Sequence, residues 1–203
     1  MPEVTAASLD ARQQKLAANA QLALERGQFD YVLGVTAEIL AAAPGCVAVR
    51  RLQRRAQLQS IRPGHLRKAL AGAAVLLVRR GRTDPGRMLA RAEQLLARAP
   101  TSVPALRLLA DAAARLNLPE TAAFAFAAIR ELEPGNFGNL LALGEAWLAA
   151  GRPAEALRVA DFMLAAKPVD AGALRLQRQA SVAQTLAEGG WEAVASTRDK
   201  PRR

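Results

Sequence analysis

Residues 135–168 read GNFGNLLALGEAWLAAGRPAEALRVADFMLAAKP. Two Ala/Leu-rich segments are joined by Gly151-Arg152-Pro153-Ala154 and closed by Pro168. Gly151 suits the left-handed position that ends a helix, and Pro153 suits the first turn of the next, where no amide donor is needed. The stretch therefore reads as a helix pair. The same punctuation stands 34 residues upstream, where Asn117-Leu118-Pro119-Glu120 replaces the Gly151 turn and Pro134 the closing proline. Pro100 lies another 34 residues back. A fixed period of this length, divided near its midpoint by a turn, predicts an array of helix pairs that bury their apolar faces by stacking.

Composition agrees. The chain has 203 residues and is half apolar, enough for a core. Ala, Leu and Arg dominate while aromatics make up 4%, which favours helix over strand. The expected class is all-α. Cys46 is the only cysteine, so no internal disulfide forms and no metal-ligand spacing exists. A reducing, cytoplasmic location suits it, because Met1-Pro2-Glu3 and Asp10 precede any apolar run, unlike a secretory signal. The most apolar stretch, Ala69 to Val78, is about half the roughly 20 residues that a bilayer crossing needs.

Leu140, Leu143-Gly144, Trp147, Gly151, Ala156 and Pro168 together resemble the tetratricopeptide repeat (TPR), with small residues at the helix crossing and a closing proline. Leu106, Leu109-Ala110, Ala122, Leu132 and Pro134 give a second copy, and Leu16, Ala20, Gly27, Phe29, Val32, Ile39 and Pro44 a third. A degenerate copy ends at Pro100 and contains Asp84-Pro85, Met88, Ala92 and Leu95. The resemblance implies antiparallel helix pairs in a right-handed superhelix, a TPR-like α-solenoid, with repeats at about 13–46, 69–102, 103–136 and 137–170. Pro44 and Pro100 are 56 residues apart, 22 more than one period, so an extra helix is expected at about 47–60. Asp170 can cap a closing helix over about 171–188 with a wet face. The domain is then 8–188, after an N-terminal extension 1–7 and before a flexible basic tail 189–203. In the best copy, Gly144 and Ala156 are read as packing residues and Trp147 as filling the interior of the pair.

The family's ligands lie in a concave groove lined by the first helix of each pair. On the register set by the prolines, the groove positions are Arg107, Asp111 and Arg115, then Leu141, Glu145 and Leu148, then Arg175 and Gln179. Such a lining suits a peptide or helix of another protein, with apolar contact at Leu141 and Leu148 and ion pairing at Arg107, Glu145 and Arg175. An ordinary solvated face laced with ion pairs is the competing account of each residue. Some members clamp a C-terminal carboxylate with Lys, Asn and Arg; here acidic and apolar residues stand in those places.

Charge is segregated. The chain carries +10, yet residues 50–98 hold thirteen Lys/Arg against Asp84 and Glu93, leaving the rest near neutral. On the extra helix Arg50, Arg51, Arg54 and Arg55 fall within an arc of about 140°, with Val49, Leu52 and Ala56 opposite. With Arg79, Arg80 and Arg82 they make a candidate patch for an acidic protein, RNA or an anionic membrane surface. Residues 50–98 contain no aromatic side chain, so no stacking platform for single strands accompanies it.

Catalysis is not expected. One histidine, one cysteine and one tyrosine provide little to build a nucleophile–base pair, and no Walker loop, HExxH, GxSxG or CxxC occurs. His65 and Cys46 read as residues near helix starts. No cofactor, metal or small-molecule substrate is implied, and the expected activity is that of a protein-binding adaptor.

Overall fold

A computed structural model describes residues 3–60 and 84–188. Among them are nine α-helices, one short 3-10 turn at Ala6–Ser8 and no strand. In chain order the helices are α1 (Ala11–Glu25), α2 (Phe29–Ala42), α3 (Val47–Gln59), α4 (Pro85–Arg98), α5 (Val103–Arg115), α6 (Pro119–Leu132), α7 (Phe137–Ala149), α8 (Pro153–Ala166) and α9 (Ala171–Ala187). The fold is all-α and TPR-like. α3 lies where the extra helix is expected, and α4 where the second helix of the degenerate copy is expected. The first helix of that copy, the Ala69 to Val78 stretch, His65 and the tail from 189 lie outside the described residues.

Two kinds of turn alternate. Within a pair the chain reverses through a left-handed residue: Gly27 at φ 71°, Asn117 at φ 57° and Gly151 at φ 68°. Each reversal carries the same two bonds. The amide of the left-handed residue reaches back three residues, and the next amide reaches back five: Gln28 to Ala23 at 2.9 Å, Leu118 to Ala113 at 2.9 Å and Arg152 to Trp147 at 2.9 Å. These satisfy carbonyls that the ending helix would otherwise leave unpaired. Pro119 and Pro153 then open α6 and α8, as the spacing predicts.

Between pairs the chain passes through a proline turn and a side-chain cap. Ser102 N–H donates to the Ala99 carbonyl at 3.0 Å across Pro100, and Asp170 N–H to the Lys167 carbonyl at 3.1 Å across Pro168. The residue after each turn then caps the new helix. Ser102 accepts from Ala105 N–H at 3.4 Å, Asn136 from Asn139 at 3.0 Å and Asp170 from Ala173 at 2.9 Å. Asp10 does the same for α1, accepting from Gln13 N–H at 2.7 Å. The helices that follow Pro100, Pro134 and Pro168 are thus started by local chemistry before any packing is considered.

The chain divides into two compact units, the first ending at Pro134 and the second beginning at Gly135. In the first, α1, α2 and α3 enclose Ala20, Ala23, Leu24, Val32, Leu52 and Ala56. A second cluster joins Met88, Leu89 and Leu95 of α4 to Leu106, Leu109 and Ala110 of α5 and Ala125 and Ile129 of α6. In the second unit α9 packs on both α7 and α8. Leu140, Leu143, Ala156, Ala160, Met163, Leu176 and Ala180 are buried there.

Two packing expectations are corrected in detail. Gly144 meets the closing helix: a Cβ at Gly144 would run into Leu176 Cδ2 and stand 3.1 Å from its Cγ. Trp147 is only half-buried, its ring covered by the Arg152 guanidinium 5.2 Å from the centroid, so it shields the edge of the pair and does not fill its interior. The period also shows how the array ends. One repeat after Ala110 and Gly144, both buried, comes Arg178, exposed; one repeat after Leu109 and Leu143 comes Gln177. On α9 these two positions have become polar, although Leu174, next after Leu106 and Leu140 at the same spacing, remains and is exposed.

Leu176 is fully buried and cannot swing away. Gly144→Ala should therefore lower the melting temperature although alanine is the better helix former, and Gly144→Leu should lower it further, by roughly 1–3 kcal/mol in stability. Thermal denaturation followed by circular dichroism checks this, and a melting temperature at or above wild type in both variants would contradict the close approach.

Candidate functional site

The eight groove positions fall in two sets, one in each unit. In the first unit Arg107, Asp111 and Arg115 follow one another at four-residue spacing along α5. Arg107 and Asp111 are half-buried and Arg115 is exposed. The Arg115 guanidinium points an N–H at Met88 Sδ, 2.9 Å away on α4. The spacing holds these three on one stripe of α5, while Leu106, Leu109 and Ala110 turn into the core.

In the second unit the structure brings three of the five positions, Leu141, Glu145 and Arg175, to the seam between α7 and α9. Leu141 is half-buried on α7, with its Cδ2 3.2 Å from where a Cβ would stand on Gly172 of α9. One turn on, Glu145 Oε1 accepts from Arg175 Nη2 at 3.1 Å. Leu148, half-buried, follows on α7, and Gln179, exposed, follows on α9. The contacts Leu141/Gly172, Gly144/Leu176 and Glu145/Arg175 advance together along both helices, so α7 and α9 run side by side in the same direction. Both members of the ion pair are more than half exposed, at 57% and 51%. Such a pair contributes little to stability, about 0–1 kcal/mol, because water solvates each charge nearly as well.

The basic patch is not the one expected. Arg50 is 2% exposed and Arg54 8%, whereas Arg51 and Arg55 face solvent. Arg50 donates through Nη1 to Glu93 Oε1 at 2.9 Å and through Nη2 to the Pro44 carbonyl at 2.7 Å. Arg54 donates through Nη1 to the Pro100 carbonyl at 3.1 Å. Burial pulls the Arg54 guanidinium below its usual range, and the Glu131 carboxylate opposes that. The reason is that α3 is buried on two sides. Val49, Leu52 and Ala56 face α1 and α2, while Arg50 and Arg54 reach α4 and the turn before α5. A helical wheel with one inside and one outside cannot show this. Arg79, Arg80 and Arg82 lie outside the described residues.

Cys46 is the N-cap residue of α3 and fully buried, with Leu9, Ile39, Leu40 and Val49 around it. Among the described residues no group of His, Cys, Asp and Glu is arranged to hold a metal, and no helix is long and apolar enough to cross a membrane.

No family model matches the sequence, and no curated protein matches it. Among solved structures, a point variant of MamA is similar with a TM-score of 0.45 at 19% identity, over 84% of this chain and 87% of that one. MamA AMB-1 gives 0.43 at 18% identity, over 93% and 96%. A thermophilic TPR protein of Thermus thermophilus gives 0.39 at 18%, over 85% and 81%. The fold assignment rests on the chain's own helices, turns and period.

The two classes of arginine on α3 separate by mutation. Arg50→Glu should cost about 3 kcal/mol or more, because it removes a buried pair and sets two carboxylates together. Arg51→Glu and Arg55→Glu should stay within about 0.5 kcal/mol of wild type. Urea denaturation of the three variants decides it, and equal midpoints would return Arg50 to the surface.

Proposed function

We propose that this protein is a non-catalytic adaptor that holds a peptide or helix of a partner protein along the first helices of its pairs. The observation that carries the reading is the α7–α9 seam. Leu141 and Leu148 offer apolar surface on either side of Glu145, whose bond to Arg175 is exposed and cheap to exchange for a partner's charges. Gln179 continues the α9 side of the seam; in the first unit Arg107, Asp111 and Arg115 on α5 offer a polar stripe of their own. Mixed charge favours a partner segment bearing both signs over a uniformly acidic tail. The inward turn of Arg50 and Arg54 removes half of the four-arginine face that a phosphate-binding reading requires, so phosphate-bearing surfaces are not favoured.

The test is capture of partners from nuclease-treated native lysate by wild type and by a Leu141→Glu, Leu148→Glu double variant, washed at low and moderate salt. Partners retained by wild type at both salts should fall at least about tenfold with the double variant while its circular dichroism stays native, as loss of central apolar anchors demands. Equal capture by the two proteins would overturn the seam as the contact. Loss of all material from wild type on nuclease or salt treatment would overturn the adaptor reading.

A further inference from the structure

The first described residues of the chain lie across two parts of the first unit. Glu3 Oε1 accepts the Thr121 N–H at 2.8 Å, and Val4 N–H donates to the Gly45 carbonyl at 3.3 Å. Val4 and Leu9 pack on the cluster of Ile39, Leu40, Cys46 and Val49. Thr121 is the third residue of α6 and fully buried, and the N-cap Leu118 has no side-chain acceptor for the amides of that first turn. Water cannot reach a buried amide, so the acceptor must come from the protein. It comes from 118 residues away in sequence.

We propose that residues 3–9 are a latch: a strap that closes over Cys46 and is held shut by the Glu3–Thr121 bond, opening and closing without unfolding of the unit. Its hold on the domain is local. Two apolar anchors, the bonds to Thr121 and Gly45, and two bonds from the Gln14 side chain of α1 to the Ala7 and Leu9 carbonyls, both at 2.8 Å, secure it, and Ala6–Ser8 between the anchors is exposed, so it belongs among segments that open locally at less than the global cost. The helices beneath it have their own core in Ile39, Leu40 and Val49.

The carboxylate is a compromised one. Burial, and then the charge of Glu120 on α6, raise the Glu3 carboxyl above its ordinary range, although the Thr121 amide and hydroxyl and the Glu120 amide favour ionisation. On the other side of the strap stands the Cys46 thiol. A carboxyl raised on latching binds its proton more tightly when latched, so the latch is firmest at acid pH and loosens as pH rises through the raised range. Glutamine keeps the carbonyl acceptor for Thr121 without the desolvated charge.

Cys46, the only cysteine and fully buried, reports the opening. In full-length protein at neutral pH, its reaction with 5,5′-dithiobis(2-nitrobenzoate) should be about tenfold faster in Glu3→Ala, since a charge-assisted bond is lost. Glu3→Gln should label no faster than wild type and melt with it, Glu3→Ala should lose no more stability than the same tenfold shift, about 1.4 kcal/mol, and low urea should scarcely change the rates. Exchange of the Thr121 amide should accelerate in Glu3→Ala alone. Labelling of Glu3→Ala at the wild-type rate, or labelling that rises with urea as steeply as global unfolding, would overturn the latch.

Discussion

In the second unit α7 and α9 approach as closely as they do because α7 presents a residue with no side chain where they meet. At Gly144 the approaching atoms belong to Leu176, and even a methyl group would collide. Counting back from each closing proline, the same position carries Ala110 and, in the first copy, Ala20, both fully buried, but Leu76 in the degenerate copy. Counting forward it carries Arg178, on the solvent side of α9. Large residues around this position, such as Leu106, Leu109, Leu140 and Leu143, fill the space that close backbones leave. Much of the stability follows from burying these faces, because short helices are marginal alone in water.

What the sequence made legible was whatever local chemistry decides. The left-handed residues Asn117 and Gly151, the helix-opening prolines and the Asp170 cap act within a few residues of themselves, and the structure places each where the 34-residue spacing predicts. The limits of α3 follow for the same reason. The partners of side chains were less legible. Gly144 reads as a packing residue, but that it packs against α9 depends on how two helices 30 residues apart settle. Trp147 has the size of a core residue, yet Arg152, placed by the left-handed turn at Gly151, draws its ring to the edge.

The arginines of α3 show the limit most clearly. From sequence alone a cationic side chain is assigned to water, and an arc containing four of them is assigned to a surface. Arg50 and Arg54 depart because α3 has neighbours on two sides. Glu93, one of only two acids in residues 50–98, and two turn carbonyls stand where those guanidiniums arrive. Guanidinium suits such a place, with several donors in a fixed plane and weaker hydration than an ammonium. Pro44 and Pro100, which mark the repeat in sequence, are also the residues whose carbonyls accept. The punctuation of the repeat thereby also anchors α3.

Two Arg–Glu pairs of nearly equal length therefore have different consequences. Arg50–Glu93, at 2.9 Å, has one partner almost wholly removed from water, so either charge without the other is expensive, and the pair fixes how α3 meets α4. Glu145–Arg175, at 3.1 Å, keeps both partners in water and fixes little. A contact that costs little to break cannot serve as architecture, but it is well placed to be exchanged. Flanked by Leu141 and Leu148, it leaves the α7–α9 seam able to give up its internal bond for a partner's charges without disturbing Leu140, Leu143 or Leu176 beneath.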